Sequence, residues 1–159
     1  MARSALTIVQ DAAPKLGVAV PSELFSSTDR TEIELRSVLN EVAERIVRAH
    51  DWSVLKTLAT NTGDGTTVGF DLPSDYLRMP KGGRVWSTRW QGPLTPVSSD
   101  EWLMLVIQEY ELVTGAWILL GGQIKFNPPL TSTEIAKWYY ISGNYAVPES
   151  GSNKSAFSA

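Results

Sequence analysis

Apolar positions near the N-terminus recur at helical spacing, at Leu6, Ile8, Val9, Ala12 and Leu16, which predicts a first short helix stopped by Gly17. Pro14 disturbs it. A proline late in a helix removes one hydrogen bond and clashes with the preceding turn, so a kink or an end near Ala13 is expected. A stronger helix follows, capped by Thr28 or Asp29, with Glu32 setting a negative charge at the positive end of the dipole. Its apolar stripe is Leu35, Val38, Leu39, Val42, Ile46 and Ala49. On its other face Glu32 and Arg36, Glu41 and Arg45, and Glu44 and Arg48 stand four apart with the acid first, the favourable order. This reads as a helix packed on one side only, running to about His50.

After Asp51-Trp52 the pattern turns to β. Lys56 to Thr62 and Thr67 to Asp71, separated by Gly63-Asp64-Gly65, predict a hairpin. Pro73 ends its second strand, and Ser74 or Asp75 is placed to start a single helical turn. Arg84-Val85-Trp86 predicts a further strand, with Arg89 to Leu94 as its partner. Ser98-Ser99-Asp100-Glu101 matches a capping box and opens an apolar helix through Leu112. The β-rich runs on either side of Gly121-Gly122 predict a tight hairpin, because both central residues of a type I′ turn need positive φ. Asn127-Pro128-Pro129 ends its second strand. Glu134 to Ile141 adds a third, giving a meander that cannot cover both its faces and must dock on helices or on another chain.

From Ser142 onward Gly, Asn, Ser and Pro dominate without periodicity, so an extended or disordered tail is expected until something binds it. The fold class is α+β: a helical bundle of the long N-terminal helix and the middle helix, with inserted β-hairpins, a C-terminal β-meander and an extended C-terminal tail. One domain is expected over residues 1–143, with a β-rich insertion near 54–97 and the tail over 144–159.

Composition narrows the function. Only 19% of the 159 residues are charged and six are tryptophan, a balance suited to a protein that hides surface in contacts. A net charge of -3 argues against a general nucleic-acid binder, whose affinity comes from clustered Lys and Arg releasing counterions. The absence of cysteine excludes disulfides and thiolate metal sites and fits a reducing cytoplasm. Met1-Ala2-Arg3-Ser4 lacks the apolar stretch of a signal peptide, and no window approaches membrane-span length, so a soluble chain is expected.

Candidate chemistry is sparse. His50 and Asp51 are adjacent and, on a helix, point about 100° apart, so they do not form a catalytic pair; a cation at a helix C-terminus explains His50 better. One histidine without cysteine leaves only carboxylates for a metal. Asp64 between two glycines resembles part of a calcium loop, but the oxygen-ligand spacing does not follow it. Asp71, Asp75, Asp100 and Glu101 contain possible carboxylate pairs for glycoside hydrolysis, with nothing in the spacing to select two of them. No glycine-rich loop with a phosphate-holding lysine leads from a strand into a helix. Trp86 and Trp90 with Arg84 and Arg89 could stack on bases, although hairpin aromatics packing across strands account for them more simply. No catalytic, cofactor-binding or metal residue is assigned, no enzyme activity is expected, and the competing reading is a carbohydrate-binding tail or surface module using exposed tryptophans.

The order of motifs carries a resemblance. Leu6-Thr7-Ile8-Val9-Gln10 opens the first helix, and the long helix ends at His50-Asp51-Trp52. Phe70-Asp71-Leu72-Pro73-Ser74-Asp75-Tyr76 forms a turn, and Ser98-Ser99-Asp100-Glu101-Trp102 starts the middle helix. Gly121-Gly122-Gln123-Ile124-Lys125-Phe126-Asn127-Pro128-Pro129 leads to Trp138-Tyr139-Tyr140-Ile141-Ser142. In this order, from Leu6 to about Phe157, the chain resembles the head-to-tail connector, or adaptor, proteins of tailed bacteriophages and prophages. It departs from them at Pro14, and after Asn153-Lys154-Ser155-Ala156-Phe157, where relatives continue into further helix.

The resemblance implies a homo-oligomeric ring, twelvefold to match the portal, in the neck or tail of the virion and made in the bacterial host cytoplasm. Its implied partners are other copies of itself, the portal protein and the next tail or nozzle protein, with DNA only in transit through the lumen and no membrane. It also implies a subunit–subunit helix face at Glu34, Glu41, Arg45 and Arg48, and a portal-contact tail at Asn144, Tyr145, Val147 and Phe157.

Overall fold

The computed structural model describes residues 4–25 and 28–146. The backbone divides into two compact units, one holding the residues up to Trp52 with those from Gly143 onward, the other Ser53–Ser142. The boundary falls where the sequence turns from helical to β spacing.

In the first unit, Ser4 caps α1 (Ala5–Leu16), its hydroxyl accepting from the Thr7 N–H, and Gly17 ends the helix at φ 70°. The helix continues past Pro14 to Leu16 instead of ending near Ala13. The carbonyls of Ala13 and Pro14 are taken up by the N–H groups of Val18 and Gly17 at 3.1 and 3.3 Å, which closes the helix beyond the bond that Pro14 cannot make.

Asp29 caps α2 (Arg30–Ala49), accepting from the Thr31 N–H. Glu41–Arg45 and Glu44–Arg48 pair as the spacing predicts, and Arg30–Glu34 adds a third rung. Arg36 does not complete the Glu32 pair seen in the spacing; its guanidinium donates to the Phe25 carbonyl at 3.0 Å. The apolar stripe is only partly covered in α2, with Leu35 and Leu39 half-buried. Val38, Val42 and Ile46 are exposed, and Val47, which lies off the stripe, is the buried residue of this helix.

The second unit is a two-sheet sandwich. In one sheet β8 (Ile135–Ser142) is central: β1 (Lys56–Thr62) runs antiparallel along one edge, while β3 (Tyr76–Arg78) and β4 (Val85–Ser87) share the other. The second sheet has the order β2 (Gly69–Asp71), β7 (Gln123–Asn127), β6 (Ala116–Leu120) and β5 (Thr95–Pro96), antiparallel except for β5 on β6. Ala59, Ala136, Trp138 and Tyr140 from the first sheet meet Trp117, Ile124 and Phe126 from the second in one core. Alternation explains it. Along β8 Ala136, Trp138 and Tyr140 are buried while Lys137 and Tyr139 between them are exposed, which is the period of a half-buried strand.

The Gly121-Gly122 hairpin forms as the sequence predicts, with φ of 63° and 76° and Leu120 paired to Gln123. The predicted meander does not. After the cis Asn127–Pro128 bond the chain crosses to the other sheet, and β8 pairs with β1, β3 and β4 instead of β7. The predicted hairpin over 56–71 fails in the same way, since β1 belongs to the first sheet and β2 to the second. The two crossings lie side by side and bond to each other: Gly63 N–H donates to the Glu134 carbonyl at 2.8 Å, and Gly65 N–H to the Leu130 carbonyl at 2.9 Å. Only glycine fits at 63, because a Cβ there would lie 2.5 Å from Leu130 Cβ and closer still to the Thr131 carbonyl.

The expected partner of β4 reduces to a bridge between Trp86 and Pro93. Where a helical turn was expected at Ser74 or Asp75, a turn from Pro73 to Tyr76 leads directly into β3. The middle helix, α3 (Ser99–Ile107), opens on the predicted capping box. It stops five residues before Leu112, because Glu109 takes φ 51° and Tyr110 N–H donates back to the Leu105 carbonyl, closing the helix as a glycine usually does. By its contacts α3 belongs to the β unit, where it lies against β6.

Candidate functional site

Within the β unit, Asp64, Asp71, Asp75 and Glu101 are each engaged by their own neighbours. Asp64 faces its own loop: its carboxylate accepts from the N–H groups of Thr66 and Thr67 at 2.8 and 2.7 Å and from both threonine hydroxyls. Those bonds, the Thr67 hydroxyl first, hold its carboxyl far below the ordinary range, and they describe an Asx-type turn. Asp71 accepts from Gln123 Nε2 at 2.8 Å across the β2–β7 pair. Glu101 serves the capping box, with its carboxyl lowered by the Ser98 N–H. His50 ends α2 and meets Trp52 edge to face at 5.1 Å.

Asp75 has the most structured surroundings. It accepts from the Tyr140 hydroxyl at 2.7 Å and from the Ser142 hydroxyl at 2.6 Å. Burial raises its carboxyl, but the bonds from Ser142 and Tyr140 outweigh burial and leave it below the usual value. Burial together with the Asp75 carboxylate pushes the Tyr140 phenol up to about 12. A carboxylate held ionised by two hydroxyls is a poor general acid.

A buried acid that the sequence did not single out lies where the two crossings meet. Glu134, 5% exposed, accepts from the Ser87 hydroxyl and from the Thr131 N–H and hydroxyl at 2.9 and 3.0 Å. The Ser87 oxygen in turn accepts from the Arg89 N–H. Every bond closes within the fold, so the cluster fixes the join of β4 to β8. The sequence reading takes Glu134 as the first residue of the third strand, and nothing in that pattern shows that it is buried. Among the described residues no group of three His, Cys, Asp or Glu is placed to hold a metal, and no helix is long and apolar enough to cross a membrane.

What the structure leaves exposed is apolar surface. Trp52 and Trp86 are 40% and 50% exposed, whereas Trp102, Trp117 and Trp138 are buried. Arg89 stacks over the Trp90 ring at 4.5 Å, which occupies the pair weighed for base stacking. Glu34, Glu41, Arg45 and Arg48 lie on one face of α2 in exposed ion pairs, a type that contributes little on its own. The exposed Val38, Val42 and Ile46 lie beside them.

Of the predicted tail contacts, Asn144 and Tyr145 are half-buried and Ala146 is buried, so the segment is already packed at its start. Burial and then the Glu44 charge raise the Tyr145 phenol. Val147 and Phe157 lie outside the described residues. Comparison with protein-family models and with curated proteins finds no match.

Proposed function

We propose that the chain is a structural subunit of a tailed-phage neck: a head-to-tail adaptor that forms a ring beneath the portal, joins capsid to tail and lets DNA pass through its lumen. The observation that carries this reading is the exposed apolar stripe of α2. A 20-residue helix that leaves Val38, Val42 and Ile46 in solvent has its hydrophobic face reserved for another chain, because a stripe of that size gains nothing from water. The resemblance in motif order adds the identity of the assembly, and polar groups bonded within the fold add that the chain works by contact and not by turnover. In this reading the helices form the ring core, the β unit meets the next tail component, and the tail from Asn144 contacts the portal. A mildly acidic chain lines a channel without trapping the phosphate backbone.

Electron microscopy of the protein mixed with its portal ring tests this. A second ring stacked on the portal is the expected image, and truncation after Ala146 should remove the stacking while leaving the subunit folded. Separate particles of full-length protein and portal would refute the reading. Titration with host polysaccharide, followed by tryptophan fluorescence, tests the alternative of a carbohydrate-binding module, for which the exposed Trp86 of the β unit is the candidate platform.

A further inference from the structure

Between Arg89 and Lys125 the sequence has no Lys, Arg or His, but it has Asp100, Glu101, Glu109 and Glu111. This stretch includes α3, whose outer side is apolar: Leu103, Met104, Val106 and Ile107 are exposed, as are Tyr110 and Val113 just beyond it. The result is a hydrophobic patch with an acidic rim. A copy of the same patch would set four acids against four acids, with no cation from residues 90–124 between them.

The outer face of the β1–β8–β4 sheet is its complement. Trp86 and Thr60 flank Lys137, and Leu58 pairs with Tyr139. Lys137 alternates with the buried Ala136 and Trp138, which places it on the side away from the core, and Leu58, Trp86 and Tyr139 are each close to half exposed. Lys56 and Arg84 are exposed at the borders of this face. No acid occupies an outward position on these strands, so this apolar face carries cations only, Lys137 within it and Lys56 and Arg84 at its borders. It too repels a copy of itself.

We infer that the acidic apolar patch on α3 of one copy docks on the basic aromatic face of the β1–β8–β4 sheet of the next. Each surface excludes its own kind and matches the other, and both belong to the same compact unit. The contact is therefore heterologous and repeats from copy to copy, which generates a ring when the rotation closes. The inference rests on the reading of the chain as a ring subunit and names the surfaces by which neighbours recognise each other. Aromatic and methionine side chains at the centre with charge at the rim is the composition of a specific interface.

Charge reversal tests it on the full chain. One variant carries Glu109→Lys with Glu111→Lys, and the other carries Lys56→Glu with Lys137→Glu; sedimentation velocity reads self-association. Each variant alone should associate at least about tenfold more weakly than the wild type, because one of its two surfaces now faces its own sign. An equimolar mixture should recover association, since the basic patch of the first then meets the acidic sheet of the second and the unaltered surfaces still match. Wild-type association should also weaken as salt rises from about 0.05 to about 0.5 M. A wild-type ring that neither variant weakens, or a mixture no better than its components, overturns this contact and leaves the ring reading standing. A wild type that assembles neither alone nor on the portal overturns both.

Discussion

The Tyr140 hydroxyl donates to Asp75 at 2.7 Å, tying the turn before β3 to the middle of the strand that pairs with three others. Ser142 adds a second donor to the same carboxylate, so Asp75 fixes where β3 meets β8. This pair sets a pH dependence at both ends of the scale. The Asp75 carboxyl is lower in the folded chain than in the unfolded one, so its contribution is present above the unfolded value and is lost as pH falls through the folded one. The Tyr140 phenol is raised to about 12, so its contribution is complete below the ordinary tyrosine range and disappears as pH rises from there toward 12. Tyr140→Phe should cost about 1–2 kcal/mol at neutral pH by removing a bond to a charged acceptor. Urea unfolding measured up to pH 11 should show a shallower alkaline decline for this variant than for the wild type.

Glu134 presents the opposite case, a buried acid whose partners all come from the fold. Glu134→Ala leaves the Ser87 hydroxyl and the Thr131 N–H and hydroxyl without their acceptor. About 3 kcal/mol of stability should be lost, with Glu134→Gln costing less because its amide oxygen still accepts. Equilibrium denaturation distinguishes them, and equal stability of the alanine variant and the wild type would remove the cluster from the account of the sheet junction.

The Gly121-Gly122 turn isolates a pure backbone effect. Nothing lies within 4 Å of a Cβ built on either residue, so a side chain there meets no obstacle and pays only for φ of 63° or 76°. Gly121→Ala should therefore destabilise by about 1–2 kcal/mol, and Gly121→Asn by clearly less, since asparagine tolerates the left-handed region. A thermal-unfolding series over Ala, Asn and Val at this position reads out the order.

Much of the local structure was legible in the sequence, because its signals are short-range. The Ser98–Glu101 capping box, the Asp29 cap, the Gly17 stop and the double-glycine turn each need only neighbours within a few residues, and each is where the pattern puts it. Strand partners were not legible. Gly63-Asp64-Gly65 looks like a hairpin turn locally, yet what decides its course is Glu134, some seventy residues on, accepting the Gly63 N–H. The same distance hid the Glu134 cluster, whose Ser87 donor is 47 positions away. In α3 the stop was missed because a glutamate, not a glycine, takes the left-handed position. On α2 the spacing revealed the apolar stripe but not which side is covered, since an amphipathic helix has the same pattern whether it faces its own core or another chain.

That ambiguity makes α2 the most direct place to separate folding from assembly. Val38 and Val42 are 55% and 45% exposed, so Val38→Glu with Val42→Glu removes little buried surface from the isolated subunit and should change its stability by only about 0.5 kcal/mol per site. In a ring with α2 at its core the same change places two carboxylates per subunit in a desolvated contact, a cost of several kcal/mol, because Arg45 beside Val42 is already paired with Glu41. Thermal unfolding should therefore be almost unchanged while rings vanish from electron micrographs. If unfolding instead shifts by several kcal/mol, the stripe is covered within the subunit itself; if rings persist, α2 lies outside the contact and the apolar helix face needs another occupant.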